Sequence, residues 1–170
     1  MHYENNENDV NILSNYKVGV LTVSDKGSVG EREDTSGPYL VTELKSRGYN
    51  VVYTNLISDD LDGIKKELIH CADELCLSLL LTTGGTGLSL RDNTPTATTA
   101  VVDKLAIGIS EYMRSEGSKI TPYAALSAGV SGVRGKTLII NLPGSLKAVK
   151  ENLSFIIDPI IPHALKMINS

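Results

Sequence analysis

The residues with the most chemical promise fall in four short segments. One reads Thr83-Gly84-Gly85-Thr86-Gly87-Leu88-Ser89-Leu90-Arg91-Asp92-Asn93-Thr94-Pro95; the others are Ser24-Asp25, Ser58-Asp59-Asp60 and Pro143-Gly144-Ser145. Glycines let backbone N–H groups approach an anion with no Cβ in the way, and a helix opening from such a segment adds partial positive charge. Phosphate suits that arrangement. Carboxylates in the same place would repel bare phosphate unless a divalent cation lies between them. Asp59 and Asp92 beside the glycines therefore point to a Mg2+-bound nucleotide more than to a simple anion. Each feature has a plainer reading. Asp59 or Asp60 can cap a helix, the glycines can form only a turn, and Asp92 can be satisfied by Arg91 or by amides of its own loop. Four such segments outweigh one if the fold gathers them.

The intervening elements decide whether it does. Residues 18–23, 51–57, 77–82 and 137–142 are short β-rich runs. The last three are apolar on both parities, as strands covered on both faces are. Between them run helical patterns. Pro38 can open a helix with Leu40, Val41 and Leu44 inward and Gly48 at its end. A second buries Leu61, Ile64, Leu68 and Cys71, Thr94-Pro95 opens a third, and Ser145 precedes a fourth. Asp158-Pro159 starts a last one. Residues 108–134 are less regular: Ile109, Tyr112 and Met113 suggest a helix, and residues 123–127 a short second one. This alternation predicts an α/β fold, a three-layer arrangement with a mainly parallel sheet and helices on both faces. In such a sheet the loops at residues 24–37, 58–60, 83–95 and 143–145 all leave from the carboxyl edge, where ligands bind.

Composition bounds the rest. At 170 residues, 41% hydrophobic and 21% charged, the chain can bury one core, expected as a single domain over residues 16–170. A net charge of −4 argues against a surface for nucleic acid. The apolar stretches are far shorter than the about 20 residues that a membrane span needs. Residues 1–15, rich in Asn and acid, read as a flexible tail and not as a secretory signal. Cys71 and Cys76 lack a metal-binding spacing, and so few cysteines suit the reducing cytoplasm. Residues 129–137 nearly spell a P-loop, but Val130 stands where its first Gly belongs and the run feeds a strand. His2, His70 and His163 lie off the loops, which disfavours a Ser–His–Asp hydrolase.

Together, residues 17–168 resemble the molybdenum cofactor biosynthesis family, with its MogA- and MoaB-type members. The resemblance rests on Val23-Ser24-Asp25, Leu56-Ile57-Ser58-Asp59-Asp60, Thr82-Thr83-Gly84-Gly85-Thr86-Gly87, Arg91-Asp92-Asn93-Thr94-Pro95 and Asn141-Leu142-Pro143-Gly144-Ser145, in that order. It implies an adenylyltransferase that converts molybdopterin and Mg-ATP to adenylyl-molybdopterin and pyrophosphate. The family's two acids fall on Asp59 and Asp92, as catalytic and Mg2+-holding residues. Nucleotide binding falls on Ser24, Asp25, Thr83, Gly84, Gly85, Thr86, Gly87, Pro143, Gly144 and Ser145, and pterin binding on Arg91, Thr94, Ser127 and Arg134. The resemblance also implies a homotrimer or homohexamer and a downstream molybdenum-insertion protein. Two positions depart from the pattern. Ser58 replaces a frequent Pro, and Ala128 replaces a frequent Arg, which would weaken a contact to the pterin phosphate or shift it to Arg134 or Lys119. The competing readings are a non-catalytic pterin-binding or scaffold domain, and a MoaB-type protein of a tungsten or molybdenum pathway.

Overall fold

A computed structural model describes residues 12–170. The strands are β1 (Lys17–Val23), β2 (Asn50–Ile57), β3 (Leu79–Thr83), β4 (Lys104–Leu105), β5 (Ser131–Arg134) and β6 (Thr137–Leu142). They form one sheet in the order β2-β1-β3-β6-β5-β4. The first four in that order run parallel, while β5 and β4 are antiparallel additions. The helices are α1 (Asp25–Ser28), α2 (Ser36–Ser46), α3 (Leu61–Ile69), α4 (Thr94–Val101), α5 (Ile107–Ser118), α6 (Leu146–Ile156) and α7 (Ile161–Ile168).

Side chains alternate across the sheet and fill two cores. Val18, Val20, Leu79, Leu81, Leu138 and Ile140 pack on one face against Leu40 and Leu44 of α2, Val149 and Leu153 of α6, and Leu165 of α7. Leu21, Val23, Leu80 and Ile139 pack on the other against Ile64 and Leu68 of α3 and Ala97 and Val101 of α4. Burial on both faces explains the unbroken apolar runs at residues 79–81 of β3 and 138–140 of β6. The chain winds outward from β1 to β2, then returns past β1 to β3. The reversal of strand order therefore lies between β1 and β3, and a crevice opens there at the carboxyl edge.

Several boundaries differ from the sequence expectations. Helix α2 starts at Ser36, because Asp34 Oδ1 accepts the Gly37 N–H at 2.9 Å; Pro38 sits inside the first turn, where its missing N–H costs nothing. Asp158 does not open the last helix. It is held by Arg47 Nε at 2.8 Å, and α7 begins at Ile161. The near-P-loop at residues 129–137 is the β5–β6 hairpin, turning at Gly135 with φ of 56°. Most of the expected tail at residues 1–15 lies outside the described residues. Of its last four residues, Leu13 packs against the first core.

Candidate functional site

The four parallel strands deliver their loops to one edge. Ser24 follows β1, Asp59 follows β2, Gly84 follows β3 and Pro143 follows β6. Tight backbone contacts join them. The Gly84 N–H donates to Leu142 O at 3.2 Å, the Thr83 hydroxyl to Pro143 O at 2.7 Å, and the Ser36 hydroxyl to Gly144 O at 2.8 Å. Gly84 and Gly85 have φ of 96° and 66°. A Cβ at Gly84 would collide with the Val23 carbonyl oxygen, and one at Gly85 would lie 2.8 Å from Asp59 Oδ1. Glycine is required at Gly84 both by its dihedral and by its neighbour.

The neighbouring aspartates Asp59 and Asp60 have separate jobs. Asp60 Oδ2 caps α3 by accepting the Gly63 N–H at 2.7 Å. Asp59 instead faces the glycines. Its Oδ2 accepts the Asp25 N–H at 2.9 Å, and its own N–H donates to Asp25 Oδ1 at 3.0 Å. No hydrogen-bond donor reaches Asp59 Oδ1 among the described residues. Burial pushes the Asp59 pKa above the ordinary carboxylate value, and the negative charges of Asp25 and Asp92 add to that rise. The Asp25 N–H and the Arg91 charge oppose it.

Asp92 stands on the other side of the glycine loop. Burial works to raise its pKa, but the Ser89 hydroxyl and the Ser89 and Gly87 N–H groups outweigh it and hold the carboxyl below its usual value. The Ser89 donors approach Oδ2 at 2.7 and 2.9 Å. Asp92 is thus ready-charged, and Asp59 is crowded by like charge. That pairing fits Mg2+, which takes one or two carboxylates, keeps waters and completes its shell with phosphate oxygens. Among the described residues no cluster of three or more His, Cys, Asp or Glu could supply an all-protein cage.

Two cavities of about 440 and 400 Å³ lie side by side at this edge. The first holds both acids together with Ser24, Thr83, Gly84 and Gly85. The second holds Thr86, Gly87, Pro143, Ser127 and Arg114. Gly144 and Ser145 border both. Ser145 also caps α6 through the Ala148 N–H, so that helix N-terminus opens onto the shared rim.

Other expected residues lie elsewhere. Asp25 and Arg91 form a bidentate pair at 2.9 and 2.7 Å and line neither cavity. Thr94 is fully buried, and its hydroxyl donates to Gly84 O at 3.0 Å, so it braces the loop and is not open to substrate. Arg134 is not brought to the site. It lies at the opposite edge, donating to Asp73 at 3.0 and 2.7 Å and to Val101 O at 2.7 Å. Lys119 pairs with Glu116. Sequence reasoning missed Arg114 and Arg32, which reach the two cavities from α5 and from the loop before α2. It also missed the role of Asn141. The buried Asn141 amide donates to Thr82 and Thr98 at 3.0 Å each and accepts the Val130 N–H at 3.2 Å. A polar residue within an otherwise apolar strand was the available signal.

Residues 19–163 match the family described as "Probable molybdopterin binding domain". The chain belongs to that family. It is 42% identical over 153 residues to a molybdopterin adenylyltransferase of Helicobacter pylori, covering 89% of this chain and 86% of the relative. It is 44% identical to the molybdenum cofactor synthesis protein cinnamon of Drosophila melanogaster, over 88% of this chain but 25% of that protein. Among solved structures, the molybdopterin biosynthesis enzyme MoaB of Thermus thermophilus superposes with a TM-score of 0.85 at 48% identity, over 90% of this chain and 96% of that one. A tungsten cofactor synthesizing MoaB of Pyrococcus furiosus gives 0.81 at 35% identity, over 91% and 98%. The α/β architecture expected from the sequence is the one observed.

Proposed function

We propose that this chain is a molybdopterin adenylyltransferase, transferring AMP from Mg-ATP to the terminal phosphate of molybdopterin. The observation that carries the reading is the pair of cavities sharing the rim at Gly144 and Ser145, with Asp59 and Asp92 both lining the one that holds Gly84 and Gly85 and neither lining the other. The acidic cavity takes the triphosphate with Mg2+ held by Asp59 and Asp92. The neighbouring cavity takes the pterin. Arg114 is half-buried there, its Nη1 donating to Gly129 O at 2.8 Å, and supplies the positive charge that Ala128 does not.

A pterin phosphate oxygen forms a bond to the α-phosphorus of ATP. The bond from that phosphorus to the oxygen bridging to the β-phosphate breaks, and pyrophosphate departs with the electron pair. The nucleophile is already an anion, so the step requires no general base. Bound Mg2+ supplies charge neutralisation for the phosphates. This chain's residues orient the two anions: the Gly84 and Gly85 backbone offers close approach, and the α6 N-terminus favours negative charge at the rim. A dithiolene substrate also suits a reducing cytoplasm. A homotrimer or homohexamer that hands its product to a molybdenum-insertion protein completes the proposal.

The test is to incubate the purified protein with molybdopterin and Mg-ATP and to search for adenylyl-molybdopterin by mass, with pyrophosphate measured in parallel. Both products are expected in equal amounts. Binding of the pterin without either product would replace this reading with that of a scaffold domain.

A further inference from the structure

Five arginines occur in the chain. Four have partners in the protein itself: Arg47 has Glu43 and Asp158, Arg91 has Asp25, Arg134 has Asp73 and Val101 O, and Arg114, through Nη1 alone, has the Ser127 and Gly129 carbonyls. Arg32 has no hydrogen-bond or ion-pair partner among the described residues, yet it lines the acidic cavity. Among the described residues it is the only positively charged side chain that does so, against Glu33, Asp34, Asp59 and Asp92.

Its loop is held on both sides. The Glu31 N–H donates to Lys26 O at 2.9 Å, the Thr22 hydroxyl donates to Asp34 Oδ2 at 2.7 Å, and Ser36 is tied to Gly144 on the shared rim. Arg32 therefore hangs from a braced strap that lines the same cavity as Gly84 and Gly85. An arginine is weakly hydrated and matches phosphate with two parallel donors, and Arg32 keeps those donors free, among the described residues, beside a cavity of about 440 Å³.

We propose that Arg32 binds the β- and γ-phosphates of ATP and stabilises the pyrophosphate as it leaves. The proposal rests on the adenylyltransferase reading above. As the bond to the bridging oxygen breaks, negative charge grows on the β-phosphate. The nearby carboxylates oppose that charge, and a guanidinium on the leaving side offsets it. The α-phosphate and nucleoside, held by the glycine loop, stay out of its reach. Arg32 then discriminates a nucleoside triphosphate from a monophosphate.

The experiment compares wild-type protein with Arg32→Ala and Arg32→Lys, titrating Mg-ATP, AMP and Mg-pyrophosphate by calorimetry. Arg32→Ala should weaken ATP and pyrophosphate about 10- to 100-fold, the range for a hydrogen bond to a charged group, and leave AMP unchanged. Arg32→Lys should recover part of the loss. An unchanged melting temperature without ligand would show that the exposed substitution leaves the fold intact. Equal loss of AMP and ATP, or no loss of either, overturns the role of Arg32 while the wild-type protein still binds Mg-ATP. Failure of the wild-type protein itself to bind Mg-ATP would overturn the wider reading along with it.

Discussion

The two ends of the same parallel strands treat charge in opposite ways. At the amino edge Arg134 grips Asp73 with two donors, and Asp103 accepts the Gly135 N–H at 2.7 Å. At the carboxyl edge Asp59 stands within the field of Asp25 and Asp92, and the nearby Arg91 is already committed to Asp25. The carboxyl edge pairs Asp25 but leaves Asp59 Oδ1 without a donor among the described residues, and the proposed Mg-ATP would bring the cation that this oxygen lacks. Backbone strain follows the same division. Gly84 and Gly85 hold consecutive positive φ beside the acids, whereas Gly135 turns a hairpin with nothing within 4 Å of a would-be Cβ.

The sharpest way to break this contrast is to remove an acid from the carboxyl edge. Asp92→Ala should reduce pyrophosphate release by roughly 10²–10³-fold, the range for loss of a single preorganised electrostatic group. Asp59→Ala should do the same. Asp59→Ala should stay folded, because Asp60 and not Asp59 caps α3, and Asp92→Ala should too, because the Ser89 bonds it loses are exposed to water. Near-normal turnover by Asp92→Ala would remove Mg2+ from its assigned place.

Why these acids could be found in the sequence, while other site residues could not, follows from what carries each signal. Gly84, Gly85 and Asp92 lie in one unbroken run, and the two-sided apolar strands dictate a parallel sheet whose loops share an edge. Asp59 versus Asp60 was undecidable locally, because Asp is favoured both as a cap and as a ligand. The structure separates the two only through their partners: Asp60 takes the cap, and Asp59 accepts the Asp25 N–H from 34 residues away. Arg134 looked available because a charge in a short polar run carries no mark of which sheet edge it reaches. The antiparallel β5 carries it away from the site, and that strand is four residues long and half polar. Arg114 sits on a helix whose pattern shows which face is buried but not which cavity that face adjoins.

Gly84→Ala should produce the next largest effect. It places a Cβ against the Val23 carbonyl at a φ of 96°, and backbone strain of this kind costs about 1–3 kcal/mol. Denaturant unfolding should show that loss. Gly135→Ala carries the φ cost without the collision and should lose less, so a ranking in the other order would contradict the close packing of the glycine loop.

The two acids should also separate by pH. The Asp59 pKa is raised, so its charge is costly to the folded protein above that pKa and the cost is relieved as pH falls. The Asp92 pKa is depressed, so its stabilising bonds are present above the unfolded value and lost as pH falls through the folded one. Cation binding needs both charged. Mg-ATP affinity, titrated from about pH 7 to about pH 4, should therefore decline first through Asp59, above the ordinary range for Asp and by about tenfold per pH unit. An acid limb confined to the ordinary Asp range or below would mean that Asp59 is not required in its ionised form.

The smallest effect belongs at the amino edge, and its smallness is the point. Arg134→Ala deletes three hydrogen bonds, two to Asp73 and one to Val101 O; Asp73 is half-exposed, so water can replace much of what that ion pair loses. Asp73 is held below its usual pKa first by the Arg134 hydrogen bonds, so the variant should return it toward the ordinary carboxylate value, visible by NMR titration. Turnover and pterin affinity should not move. If pterin affinity fell while the Asp73 titration stayed where it was, Arg134 would be reaching a ligand and not its ion-pair partner. The division of labour between the two ends of the sheet would then fail at the residue that most clearly expresses it.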